Sequence, residues 1–406
     1  MLLLKLDLTL IERRIMMSIL ITTRKRETGS TEFKNIVSMI DNHMPEVISK
    51  LSMNSWYEEL QYRKEENEKE GCSSFQWFSD IEMIYYFVHR PKDTDEKKNR
   101  NINTRKDYIR DLLQFYKMIN KFSKEIRSDV DDYEEQSLFK LLRKRHIRRY
   151  QEWLKDAPLG RAGKKYSAAT LSLKTVLMKS FLKWLYSVGY ISEDVTMDLS
   201  STNLREWDKP NRDLSYDQVS QILDYYKDHT INYALLSTLA TTGARVAEIA
   251  NSTFSNLYYD SYNGNYWLKV TGKGNKSREI LIFNNVFERI LAFRNRRRLS
   301  TELDPNDKSP LFTTNKLKPY SPKYLSSYIV DIIQKTNLPF IKRRSEKIGP
   351  HHFRHYFAIY SAQNGADIFR IQQTLGHESI ETTKVYLERF MKKENNVALL
   401  WDESKF

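Results

Sequence analysis

Residues 349–390 read GPHHFRHYFAIYSAQNGADIFRIQQTLGHESIETTKVYLERF, and their spacing carries more structural information than any other stretch of the chain. The chain reads as helical here, and Gly376 falls where a tight turn would separate two helices, so a helix-turn-helix is one reading of residues 365–390. Polar residues recur at set intervals: His351 precedes Arg354 by three, His377 follows His351 by 26, and Tyr386 follows His377 by nine. Taken singly, each has a dull explanation. His351 and His355 are four apart, as in a helical zinc pair, but no HExxH glutamate lies between them. Tyr386 is one of 25 tyrosines.

Upstream lies the one clear β signal. Tyr262-Asn263-Gly264-Asn265 predicts a hairpin turn and Tyr266 to Thr271 a strand. Residues 272–276, GKGNK, form a second tight turn, and Glu279 to Phe283 the return strand. Before these, Ser215 is placed to cap a helix, a second helix runs near Tyr233 to Leu239, and GARVAEI follows at 243–249. From Val286 onward the chain reads as helical to its end. The expected fold is therefore mainly α with a small antiparallel β-sheet.

Residues 201–213 are polar, contain Pro210, and read as an interdomain linker. The preceding stretch from Asn101 has apolar residues at helical spacing, from Tyr108 through Ile119. It continues with a basic amphipathic segment from Leu138 to Leu154, then a helix that starts at Ser167 and ends at Gly189. This predicts a compact, basic domain of four or five helices. The first hundred residues read as an appended helical region, with a charged face from Glu58 to Glu70 and a charged break from Asp93 to Arg100.

The chain has 406 residues, 40% apolar and 13% aromatic, too rich for a disordered chain. Only 12 Gly and 10 Pro exclude collagen-like character. A single cysteine, Cys72, excludes an internal disulfide and a Cys-based zinc module, and suits a reducing cytoplasm or nucleoid. The uncharged stretch Ile15 to Thr23 is far shorter than the roughly 20 residues that span a bilayer, which predicts no membrane segment. The net charge of +14 is unevenly distributed: +7 over residues 101–200 and +10 over 251–350, against −1 over the first hundred. Two basic blocks predict two DNA-facing surfaces.

Arg245, Lys273, His351, Arg354, His377 and Tyr386 include no carboxylate and match metal-free attack on a phosphodiester. Arginine's planar fork holds non-bridging phosphate oxygens and stays charged, so it can neutralise a pentacovalent transition state where other enzymes use magnesium. Tyrosine, with a pKa near 10, needs a base and a positive field to act as nucleophile. Lysine on a hairpin can protonate a leaving oxygen.

With GARVAEI, GKGNK, HHFRH and LGHESIETTKVY in this order, the chain resembles the tyrosine recombinases of the phage-integrase family over about Arg212 to Phe390. The resemblance implies a helical, SAM-like core-binding domain at 101–203, a linker at 204–213, a mixed α+β catalytic domain at 214–396, and a tail at 397–406 passed between protomers. It implies that Tyr386 attacks DNA to give a 3′-phosphotyrosine, that Arg245, Arg354 and His377 hold the phosphate, and that Lys273 protonates the leaving 5′-oxygen. His351 would be the proton-transfer histidine, while Glu248 and His355 orient the others, and no cofactor, ATP or metal is needed. Lys276 competes for the role of Lys273, and the apolar tail Val397 to Trp401 has the alternative of folding back on its own core. The implied partners are duplex DNA sites, three further copies of the chain, and accessory proteins, in a cytoplasmic, nucleoid-associated setting. Two departures stand out: His352 and Tyr356 occupy positions where smaller or apolar residues are usual, and residues 1–100 exceed a minimal recombinase. The expected activity is integration and excision of a mobile element. The alternatives are chromosome-dimer resolution, a topoisomerase-like relaxing enzyme, and a DNA-binding regulator without catalysis.

Overall fold

The computed structural model describes residues 29–95, 99–197, 199–200, 211–272, 276–394 and 396–401. Ile15 to Thr23, most of the expected linker, Lys273 and the last five residues lie outside that set. The chain divides into two compact units, Met1–Lys209 and Pro210–Phe406.

The first unit contains helices α1 (Thr31–Met39), α2 (Met44–Ser52), α3 (Tyr57–Lys69), α4 (Asp80–His89), α5 (Ile102–Lys121), α6 (Ser123–Val130), α7 (Lys144–Asp156) and α8 (Ala168–Ser187). The basic segment expected from Leu138 becomes helical only at Lys144, and residues 138–141 form a turn. Ser167 caps α8 by accepting from the Thr170 N–H, and Gly189 takes the left-handed conformation just beyond its end, as expected. Helices on both sides of the charged break at 93–100 share one core. Within it the Phe87 and Phe181 rings lie 5.1 Å apart, and those of Phe75 and Trp184 5.6 Å. Asp80, buried at the start of α4, accepts from Ser137 Oγ, the Leu138 and Phe139 N–H groups, and Tyr190 Oη. Burial pushes its carboxyl up to about 6.

The second unit opens with α9 (Tyr216–Tyr225), capped reciprocally by Ser215 and Gln218, then α10 (Thr230–Thr242) and α11 (Val246–Asn251). Strands β1 (Leu257–Asp260), β2 (Asn265–Thr271) and β3 (Ser277–Ile282) form an antiparallel sheet in the order β1-β2-β3. Its register pairs Tyr258 with Trp267 and Val270 with Arg278. Phe283, expected in the return strand, instead begins α12 (Asn284–Arg296). The remaining helices are α13 (Pro322–Lys335), α14 (Pro339–Lys342), α15 (Pro350–Gln363), α16 (Ile368–Leu375) and α17 (Ile380–Glu394).

Continuous helix from Val286 was expected, but residues 297–321 are irregular. Arg298 is left-handed there, and Pro305, Pro310 and Pro319 lack the N–H a helix needs. The fully buried Arg294 replaces helical bonding by binding Ser300 O, Pro310 O, Asp307 Oδ2 and Ser309 Oγ.

α10 and the inner face of the sheet pack into a core with α12, α13 and α15. Among the described residues no helix is long and apolar enough to cross a membrane.

Candidate active site

Arg245, Glu248, Gly272, Lys276, Arg278, Gly376 and His377 line a cavity of about 390 Å³ in the second unit. Three chain reversals bring these residues together. α10 ends at Gly243, held at φ 59°, and Arg245 follows as the residue that starts α11. The sheet delivers Gly272 and Lys276 at the base of the second hairpin, closed by a Gly272 N–H to Lys276 O bond of 2.8 Å. α16 ends at Gly376, at φ 64°, so that His377 emerges from the turn before α17. The expected turn at Gly376 therefore exists, and it faces this cavity: Arg245 Nη2 donates to Gly376 O at 3.2 Å.

Arg245 is aimed by Glu248. Its Nη1 donates to Glu248 Oε1 at 2.9 Å, and its own N–H donates to Oε2 at 2.8 Å. Burial alone would push the Glu248 carboxyl up, but its hydrogen bonds and charge contacts with Arg278 and Arg245 outweigh that and hold it below its usual value.

Arg354, on α15, is 2% exposed. Its two Nη groups donate at 2.7 Å to Gly243 O and Leu375 O, the carbonyls at the ends of α10 and α16. Burial, and then the charge of Arg245, lower its pKa to about 10. The guanidinium is still charged at neutral pH.

His377 Nδ1 lies 2.8 Å from Thr383 Oγ1, and the ring is pushed down to about 4 by burial and the nearby Arg354 and Arg245. At neutral pH it is therefore an uncharged imidazole with one nitrogen engaged by Thr383. Tyr386, half-buried on α17, presents its ring edge-to-face to His377 at 5.0 Å and stacks on His355 at 3.8 Å. Both ring nitrogens of His355 are buried without a partner among the described residues, and burial drives its pKa down to about 3. His352, the first departure noted in the sequence, accepts the Gly349 N–H on Nδ1 and so steadies the start of α15. Tyr356 packs 5.4 Å from Tyr360.

Arg245, Arg354, His377 and Tyr386 are thus assembled. His351, exposed at the first turn of α15, is held below its usual pKa by partial burial of its ring and by the charges of Arg212, Arg354 and Arg245. Lys273 lies outside the described residues, although the hairpin base on either side of it borders the cavity. Lys276 pairs with Glu378 at 3.0 Å, both well exposed.

Sequence reasoning missed Arg278. Its signal was present: in β3 it falls on the same alternate face as the buried Ile280 and Ile282, where an apolar side chain is the ordinary choice.

Residues 212–393 match the Phage integrase family. The tyrosine recombinase XerC of Lactobacillus delbrueckii subsp. bulgaricus is 29% identical over 229 residues, covering 55% of this chain and 73% of that protein. XerC of Rickettsia bellii is 25% identical over 306 residues, 73% of this chain and 89% of its own. Among solved structures, the XerH site-specific recombinase bound to a palindromic difH substrate superposes with a TM-score of 0.55 at 20% identity, over 72% of this chain and 79% of that one. The Tn1549 transposon integrase in complex with circular intermediate DNA gives 0.52 at 16%, over 78% and 99%. These two likenesses speak to the fold, a mainly helical pair of units with a small antiparallel sheet. With its motifs in family order and residues 212–393 matched, the second unit is similar to the phage integrase family of tyrosine recombinases, DNA strand-exchange enzymes that need neither metal nor ATP.

Proposed function

We propose that this chain is a site-specific recombinase that cuts and rejoins duplex DNA with Tyr386 as nucleophile. The gathering of Arg245, Arg354, His377 and Tyr386 from three distant motifs supports that reading. In this reading the Tyr386 oxygen attacks phosphorus, an O–P bond forms as the P–O5′ bond breaks, and a 3′-phosphotyrosine results. The departing O5′ takes a proton from Lys273, and the phenolic proton leaves through His351. One phosphodiester replaces another, so religation is the same step reversed.

Arg245 and Arg354 hold the non-bridging oxygens. With the Thr383 hydroxyl donating to Nδ1 of His377, the opposite N–H points its donor at the phosphate. Losing one such donor costs on the order of 3 kcal/mol of barrier. His355, neutral and stacked on Tyr386, sets the resting position of the nucleophile.

Residues 101–203 then serve as the core-binding domain, 204–213 as linker, and 214–396 as catalytic domain. The two basic blocks face DNA. The exposed tail, with Leu400 87% and Trp401 60% accessible, reaches a neighbouring protomer in a tetramer. Residues 1–100 contribute protein contacts or structure rather than a basic arm. The setting is the cytoplasmic nucleoid, with accessory proteins as further partners. Integration and excision of a mobile element is the first biological reading. Chromosome-dimer resolution is the second, favoured by the XerC relatives.

Incubation with nicked duplexes taken from the flanks of its gene should trap a covalent protein–DNA adduct that Tyr386→Phe and Lys273→Ala lose and Lys276→Ala keeps. An adduct that persists in Tyr386→Phe, or none from the wild type on a duplex it binds, would refute the assignment. Deleting the gene separates the two biological readings: loss of an excised circle marks an element integrase, and accumulation of dimeric chromosomes marks a resolvase.

A further inference from the structure

One carboxylate in the cavity is shared by two arginines. Glu248 Oε1 takes Arg245 Nη1 at 2.9 Å, and Oε2 takes Arg278 Nη2 at 2.7 Å. Arg278 arrives from a different element, β3, and spends its other Nη group on the carbonyl of Thr374, near the end of α16. Its stem covers Gly376 so closely that a Cβ there would stand 2.8 Å from Arg278 Cδ. The hairpin base is equally tight: a Cβ on Gly272 would stand 3.0 Å from Glu248 Oε1. Arg278 therefore ties the sheet, the Arg245–Glu248 pair and the turn carrying His377 into one piece. Its side chain is 13% exposed.

We propose that Arg278 is a positioning residue for strand cleavage, acting through Glu248 on Arg245 and through Thr374 and Gly376 on His377. The inference rests on the reading of Arg245 and His377 as phosphate-holding groups. Charge makes the point concrete. Arg245, Arg278 and Glu248 together carry one net positive charge beside the cavity. Without Arg278, Glu248 pairs with Arg245 alone, and that local charge falls to zero just where a phosphate must be neutralised. Glu248 would also be free to draw the Arg245 fork away from the cavity.

The test uses four full-length chains: wild type, Arg278→Gln, Arg278→Lys, and Arg278→Gln combined with Glu248→Gln. The double variant restores one net charge, that of Arg245. On a nicked duplex, Arg278→Gln should slow adduct formation roughly tenfold or more, a fraction of the 10²–10³ lost with a donor directly on the reacting charge. Affinity for the duplex should stay within about threefold, because most phosphate contacts in such complexes lie along the backbone. Arg278→Lys should recover part of the rate, and the double variant should be faster than Arg278→Gln. A double variant as slow as Arg278→Gln or slower, or equal rates for all four, overturns the proposal.

A second readout needs no DNA, so it stands even if Tyr386 proves not to cleave. By NMR, the His377 titration midpoint should rise from about 4 in Arg278→Gln and return towards it in the double variant. The groups facing His377 are Arg245 and Glu248 from α11, Arg278 from β3, Arg354 from α15, Gln372 from α16, and Thr383 and Tyr386 from α17, with Lys276 and Glu378 at the cavity mouth. Among these, removing the Arg278 cation and freeing the Glu248 carboxylate both favour the imidazolium. A midpoint that does not move in Arg278→Gln overturns the electrostatic part of the proposal.

Discussion

Replacing Gly243 with alanine puts the whole frame of the site under test. Gly243 sits at φ 59° and ψ 16°, and its carbonyl receives Arg354 Nη1 at 2.7 Å. A Cβ at this position would lie 2.6 Å from Phe357 Cδ1 and 2.8 Å from Leu375 Cδ2. The left-handed backbone costs an alanine about 1–2 kcal/mol. Overpacking adds about 1–3 kcal/mol, because Phe357 and Leu375 lie on packed helices and must move. The combined loss of about 3 kcal/mol corresponds to a fall in melting temperature of about 6–12 °C for a unit of this size.

The displacement also has a direction. Leu375 supplies the other carbonyl that holds Arg354, so pushing it away loosens both anchors at once. Strand cleavage should therefore fall beyond what the lost stability explains at a temperature where the variant is fully folded. Urea unfolding followed by tryptophan fluorescence and circular dichroism measures the first effect, and adduct formation measures the second. Adding Phe357→Leu should return part of the stability, since the tightest contact is with that ring. A Gly243→Ala chain that loses less than about 1 kcal/mol, or a Phe357→Leu change that simply adds its own cost, would refute the reasoning.

Two further outcomes follow from buried charge. Arg294, fully buried at 3.6 Å over the Phe254 ring, is the partner of Asp307, and Arg294→Met should cost about 3 kcal/mol in urea unfolding by leaving that carboxylate unpaired; a loss under about 1 kcal/mol would contradict the role given to it. His352, His355 and His377 are held at about 4, 3 and 4 mainly by burial, against 6.5 when unfolded. The unfolded chain then binds more protons below about 6.5, so the stability they preserve is complete above that pH and is lost progressively towards 3–4. The urea midpoint of the second unit should fall between pH 7 and 5, less steeply in His355→Phe, and a flat profile would count against this account.

Much of the site was legible because it lies in short local patterns. GARVAEI, HHFRH and LGHESIETTKVY each place a candidate side chain beside a helix end, and the helix ends are encoded by Gly243, Pro350 and Gly376 at positions that read plainly. The hairpin was legible from Asn263-Gly264 and the alternation that follows. Residues 297–321 were not, because their course is fixed by Arg294 reaching Ser300, Pro310 and Asp307, contacts that no periodicity announces. Arg278 differs: its place on the inward face of β3 was readable from the alternation, but its partners Glu248 and Thr374, 30 and 96 residues away, were not.

By itself, then, the sequence determined the order and spacing of the candidate catalytic residues and the helical frame with one small sheet. Those depend on backbone propensity and on spacing within single elements, and both are local. The tertiary structure alone decided who aims whom. It gave one carboxylate, Glu248, to two arginines, hung Arg354 from two helix-end carbonyls, and laid Tyr386 against a neutral His355. These arrangements depend on burial and on pairing across distant segments, where desolvation decides which charges survive and which hydrogen bonds must be made.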